Sequence, residues 1–141
     1  MKKKIIILCT GNSCRSQMAE GWFKYFYPEL DVHSAGTHPE PVNKYSIQVM
    51  KEVNIDISKS TSNNVSEYSN DFFDILLTVC DNAFKICPNF DNCKVKTHFS
   101  FKDPAKAKGS KHAKLSVYRK VREEIKFYVR NFFDKNNQNV K

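Results

Sequence analysis

The sequence has no long apolar run. Its 141 residues include no stretch near the roughly 20 apolar residues of a membrane-spanning helix. Met1-Lys2-Lys3-Lys4 is followed by only four aliphatic residues, too few for the apolar region of a secretory leader. A cytoplasmic protein with no membrane partner is expected. The cysteines are informative by omission too: the five of them include no Cys-x2-Cys pair, which excludes zinc ribbons and fingers. Their odd number leaves at least one thiol free, and a structural disulfide framework is not expected in a reducing compartment. The four histidines lack metal-site spacing, so His33, His38, His98 and His112 read as structural or solvated. No repeat and no second domain are visible, which leaves one domain over residues 1–135 and a frayed Asn- and Lys-rich tail over 136–141.

The net charge of +8 raises the question of nucleic acid, but the lysines are spread along the chain and thicken chiefly between Lys102 and Lys126. Without a recognised binding module this is a solvated face, and no nucleic-acid partner is expected. Attraction of small anions is the more modest consequence.

Short apolar runs alternate with helical patterns, as in an α/β domain with a parallel sheet. Strands are expected over Ile5 to Leu8, Asp31 to Ala35, Phe73 to Val79 and Val95 to Phe99, with the third buried on both faces. Helices are expected over Ser16 to Tyr27, stopped by Pro28, then Ser46 to Val53, and from about Ser110 to Phe133. The reading is a three-layer domain, a four-stranded parallel sheet flanked by helices. Ligands of such sheets bind beyond the carboxyl ends of the strands. Cys9, Cys80 and Asp103 all fall at or just after such ends, so three reactive groups converge on one crevice.

The densest signal is Cys9-Thr10-Gly11-Asn12-Ser13-Cys14-Arg15-Ser16, where a cysteine and an arginine bracket five residues between a strand and a helix. Successive N–H groups of Thr10, Gly11, Asn12, Ser13, Cys14, Arg15 and Ser16 can curl round one tetrahedral anion, and the helix start points its dipole at the same place. Gly11 permits the tight path. Arg15 offers a fork of donors to two oxygens. Cys9 then sits where a thiolate is favoured, with a pKa below the ordinary value, Ser16 as a hydrogen-bond donor to it and Asn12 as a brace. A free cysteine at a strand end is also commonly a buried hydrophobe, and Cys14 reads as filler behind the loop. Oxidation of Cys9 with Cys14 is an off-pathway hazard.

The stretch Cys9 to Gly21 resembles the opening of thioredoxin-coupled arsenate reductases, which share the low-molecular-weight protein tyrosine phosphatase fold, of flavodoxin-like type. Ser34-Ala35-Gly36, Met50-Lys51-Glu52-Val53, Ile55-Asp56-Ile57-Ser58, Thr78-Val79-Cys80, Asp103-Pro104 and Val121 to Lys126 are similar as well. Cys80 to Pro88, with Cys80 and Cys87, resembles the redox segment of that family. The resemblance implies arsenate reduction to arsenite, serving arsenic detoxification. In it Cys9 attacks arsenate held by the loop and Asp103 protonates the departing oxygen; Cys80 attacks Cys9 and releases arsenite; Cys87 attacks Cys80, and thioredoxin reduces the Cys80–Cys87 disulfide. No tightly bound cofactor is implied. On their own, Cys80 suits a core position, Cys87 a loop thiol, and Asp103-Pro104 an ordinary turn.

If residues 80 to 87 formed one helix, the two Cα atoms would lie about 10.5 Å apart, beyond the roughly 7 Å that a disulfide tolerates. A segment that unwinds is therefore expected. Cys93 has no role in the resemblance and is a candidate second resolving thiol. Asn12, Glu20, Ser34 and Thr61 fit a potassium site of some family members, but Asn63 stands where an aspartate is expected. The alternative to a reductase is a phosphotyrosine phosphatase with Cys9 as nucleophile and Asp103 as acid. Only lysines and small residues follow Asp103-Pro104, which leans toward a small inorganic substrate.

Overall fold

The computed structural model describes residues 3–81 and 92–134. Cys87, the expected unwinding of residues 80 to 87 and the tail 136–141 lie outside the described residues. Among the described residues, the regular elements run in the order β1 (Lys4–Cys9), α1 (Arg15–Phe26), β2 (Asp31–Gly36), α2 (Lys44–Lys51), β3 (Phe73–Thr78), β4 (Cys93–His98) and α3 (Lys111–Arg130). Short 3-10 turns cover Val65–Tyr68 and Pro104–Lys106.

The strands form one parallel sheet in the order β2-β1-β3-β4. β1 goes first to β2 on one side, and the chain then returns to β3 on the other. The switch in strand order therefore lies between β1 and β3, at whose carboxyl edge ligands of such sheets bind. Leu8 is level with Thr78, and the Val79 N–H donates to the Leu8 carbonyl at 3.0 Å. Cys9 and Cys80 thus emerge side by side.

β1 is central, and Ile5, Ile6, Ile7 and Leu8 are all buried, as an apolar run in a parallel sheet requires. β4 stands at the edge of the described sheet with Lys94 and Lys96 exposed. α1 lies against β1 and β2, and α3 packs against α1 and α2. Aromatic rings close these seams: Phe23 meets Phe132 edge-on at 5.0 Å, and Tyr45 meets Tyr118 at 5.4 Å. No helix among the described residues is long and apolar enough to cross a membrane.

Element ends moved by one to three residues from expectation, for local reasons. α2 begins at Lys44 because Asn43 Oδ1 accepts from the N–H groups of Tyr45 and Ser46 at 2.8 and 3.1 Å. β4 begins at Cys93 because that residue pairs with Phe73, the first residue of β3. α3 starts after Ser110, whose Oγ accepts from the Ala113 N–H at 3.1 Å, and ends at Arg130 rather than Phe133.

Candidate active site

The loop from Cys9 to Ser16 is turned inside out relative to ordinary chain. Its carbonyls accept from outside: Thr10 O from the His38 N–H, Gly11 O from the Glu40 N–H and Ser62 hydroxyl, Ser13 O from the Asn43 N–H, and Cys14 O from the Met18 N–H, at 2.8 to 3.2 Å. Asn12 O accepts from Gln17 Nε2 at 3.0 Å. With the carbonyls of residues 10 to 14 taken up in this way, the loop's N–H groups and the N-terminus of α1 have the arrangement that suits an anion.

Asn12 supplies the bend. It has φ 49°, in the left-handed region, whereas the expectation assigned the tight path to Gly11. Its side chain offsets the backbone strain: Nδ2 donates to Ser16 Oγ at 2.8 Å and Ser34 Oγ at 2.9 Å, and Oδ1 accepts from the Asn63 N–H at 2.8 Å. Asn12 is fully buried, so losing these partners would leave a stranded amide at a cost of about 1–3 kcal/mol. The expected Ser16 hydroxyl thus serves the brace, accepting from Asn12. Gly36 lets the loop close. A Cβ there would lie 2.5 Å from Thr10 O and 2.9 Å from Asn12 N, both backbone atoms.

The two sulfurs meet at the carboxyl edge. Cys9 and Cys80 are each 3% exposed, Thr10 Oγ1 is 3.4 Å from Cys80 Sγ, and the Cys9 thiol hydrogen-bonds to Cys80. That hydrogen bond, together with burial, pushes the Cys9 thiol well above the ordinary value; Arg15 opposes the shift without overcoming it. This corrects the expected low pKa. The contact between Cys9 and Cys80 is one that spacing alone did not show. Cys14 is buried with its sulfur 3.9 Å from the Tyr118 hydroxyl, and burial raises its pKa as well. It packs behind the loop as expected.

Arg15 and Asp103 also converge. Arg15 Nη1 donates to the Phe101 carbonyl at 3.1 Å, and Nη2 lies 3.6 Å from Asp103 Oδ2. Asp103 Oδ1 accepts from the Ala105 N–H at 3.0 Å, so the Asp-Pro pair is a capped turn and a site contact at once. Gln17, which the sequence reading left without a role, and His98, which it read as structural or solvated, make further contacts near the site. Gln17 Nε2 ties Asn12 O to Thr61 O, each at 3.0 Å. His98, at the end of β4, contacts Thr78 and Asp81.

Cys93 does not belong to this cluster. It starts β4 opposite Phe73, five residues and about 16 Å at ~3.3 Å per residue from the carboxyl edge. A second resolving role would need more than twice a disulfide's reach of roughly 7 Å.

Asn12, Glu20, Ser34, Thr61 and Asn63 do come together, but their donor set does not suit potassium. Asn63 Nδ2 faces the carbonyls of Ser34 at 3.4 Å and Thr61 at 3.3 Å, placing N–H groups where a cation needs oxygen. Glu20 is already paired: Oε1 accepts from the Ser34 hydroxyl at 2.5 Å and Oε2 contacts the Lys24 ammonium at 2.6 Å. No group of three or more metal-ligating side chains is found among the described residues.

Comparison with known proteins gives this geometry a lineage. The chain is 46% identical over 132 residues to an arsenate reductase of Halalkalibacterium halodurans, covering 93% of this chain and 95% of that one. It is 43% identical over 127 residues to an arsenate reductase of Bacillus subtilis, covering 89% and 91%. A solved arsenate reductase in its phosphate-binding state superposes with a TM-score of 0.79 at 32% identity, over 94% of this chain and 98% of that one. Residues 4–141 match the family model described as low molecular weight phosphotyrosine protein phosphatase. Because that match starts at the first residue of β1 and takes in every element described above, the chain belongs to the low molecular weight phosphotyrosine protein phosphatase family.

Proposed function

We propose that this enzyme reduces arsenate to arsenite through three thiols, with thioredoxin as the final reductant. The observation that carries the reading is the placement of Cys80 within hydrogen-bond contact of both Cys9 and Thr10. A hydrolase needs one thiol, an aspartate and water at this edge. A second sulfur against the nucleophile suits a reaction in which the nucleophile is itself attacked. The names of the matched relatives support the same substrate.

The oxyanion enters the loop, where the inward N–H groups and Arg15 neutralise its charge. The Cys9 proton passes to an oxygen of the bound oxyanion and the Cys9 sulfur attacks arsenic; an As–O bond breaks and Asp103 donates a proton to the leaving oxygen, which departs as water. Cys80 thiolate then attacks the Cys9 sulfur. The S–As bond breaks, its electron pair stays on arsenic, and arsenite leaves as a Cys9–Cys80 disulfide forms. Arsenic gains two electrons and the two sulfurs lose them. Cys87 thiolate next attacks Cys80 and frees Cys9, and a dithiol of thioredoxin reduces the Cys80–Cys87 disulfide. Thr10 donates its hydroxyl hydrogen to a Cys80 thiolate, which favours the attacking form.

The test is oxidation of NADPH by the purified protein with thioredoxin and thioredoxin reductase, with and without arsenate, alongside hydrolysis of an aryl phosphate. Arsenate-dependent oxidation that disappears in Cys80→Ser is expected. Brisk aryl phosphate hydrolysis without any arsenate-dependent oxidation would make the protein a phosphatase.

A further inference from the structure

Cys80 follows the end of β3, and its backbone leaves the sheet there. The Val79 N–H donates to Leu8 O at 3.0 Å and the Phe101 N–H to Val79 O at 3.1 Å, so sheet-like support reaches Val79. One imidazole spans the next step. His98, the last residue of β4 and the register partner of Thr78, has Nδ1 2.6 Å from Thr78 Oγ1 and Nε2 3.0 Å from Asp81 Oδ1. The same ring touches the residue two before Cys80 and the residue one after it.

The chemistry of the two contacts fixes the ring. An ionised carboxylate only accepts, so Nε2 carries a hydrogen toward Asp81; in the neutral ring Nδ1 then accepts from the Thr78 hydroxyl. The imidazole can neither flip nor turn without losing a partner. The pair contributes little to stability, because the Asp81 side chain is 71% exposed and the His98 side chain 26%. Its effect is on direction.

We propose that His98 is a positioning residue that staples Asp81 to the end of β3 and thereby aims the Cys80 sulfur at Cys9. The inference rests on the reading of Cys80 as the second thiol of the relay. Attack on a sulfur requires the incoming sulfur in line with the bond that breaks, and a misplacement near 1 Å slows a positioned reaction by up to about 100-fold. Cys80 is one rotatable residue beyond the sheet, so a tether on each side of it sets that line. The staple also spans the first residue of the chain that must later carry Cys80 away from Cys9.

The experiment is a single turnover of reduced, full-length protein with arsenate, quenched in acid, with the Cys9–Cys80 disulfide quantified by peptide mapping. His98→Phe keeps a ring without nitrogens and should slow disulfide formation about 10-fold. Its affinity for inorganic phosphate, measured by calorimetry as a probe of the loop, should be unchanged. His98→Gln retains a donor near the Nε2 position and should recover most of the rate. Asp81→Ala should slow the step as much as His98→Phe does, and the double variant no more than either alone. A wild-type disulfide rate in His98→Phe, multiplicative losses in the double variant, or loss of phosphate affinity in both His98 variants would each overturn the proposal. Wild-type protein that consumes arsenate without ever forming a Cys9–Cys80 disulfide would overturn the relay instead.

Discussion

The loop after β1 and the chain after β3 meet over one pair of sulfurs, yet they are held in opposite ways. The loop is braced from several directions: Asn12 is tied to Ser16, Ser34 and Asn63, its carbonyls are taken up by residues 17 to 62, and Gly36 lies beneath it at backbone contact. The chain after β3 is held through side chains, by Thr10 and Cys9 on Cys80 and by His98 on Asp81. A cradle for an anion gains from rigidity, since its donors must be in place before charge arrives. On the proposed relay, a thiol that first attacks and is then carried off would gain from contacts that can be exchanged.

The strongest way to break this contrast is to spoil the rigid half. Gly36→Ala puts a Cβ 2.5 Å from the Thr10 carbonyl, and backbone cannot give way as a side chain would. The expected result is at least a ~100-fold loss of kcat/KM, the scale at which a 1 Å displacement acts, with a stability loss of about 1–3 kcal/mol. Turnover and thermal unfolding measure both, and wild-type turnover would mean that the loop is not the stiff partner.

The exchangeable half is sharpened by removing one sulfur. The hydrogen bond to Cys80 is the largest cause of the raised Cys9 pKa, so Cys80→Ala lowers it and leaves burial opposed by Arg15. A lower pKa means more thiolate at neutral pH. Alkylation of Cys9 by iodoacetamide should therefore be about 10-fold faster at pH 7 for each unit the pKa falls, with the midpoint of the rate–pH profile moved to lower pH. An unmoved midpoint would show that burial alone holds the proton.

The smallest effect concerns the five polar residues flanking the loop. Potassium and sodium chloride at equal ionic strength should give the same turnover in the wild type, because the Asn63 amide hydrogens occupy the oxygen positions a cation needs. Asn63→Asp replaces those donors with a carboxylate. Potassium at several times its dissociation constant should then stabilise that variant by about 1 kcal/mol, read as a potassium-dependent rise in Tm.

The difference between the two halves also explains what could be read from sequence. The rigid half is local: a cysteine and an arginine with five residues between them, set between an apolar run and a helix, point to the cradle before any fold is known. Strand positions followed from apolar runs, and strand ends led to Cys80 and Asp103. What could not be read depends on contacts between residues far apart in the chain. The proton state of Cys9 depends on Cys80, 71 positions away, so a helix N-terminus and a cation argued for a low pKa while the neighbouring sulfur set a high one. Gly11 was assigned the bend because glycine is permissive, but Asn12 takes it because Ser34 and Asn63 are placed to hold its amide. The specific contacts of His98 could not be read because its partners, Thr78 and Asp81, reach it only through the pairing of β3 with β4.

The proton shared between Cys9 and Cys80 has a chemical consequence outside turnover. Peroxides and other oxidants react with thiolates that they can reach. Cys9 is 3% exposed, and the hydrogen bond to Cys80 together with burial raises its pKa. On the proposed reading the Cys9 thiol is therefore a slower target for sulfenic acid formation than an exposed cysteine of low pKa.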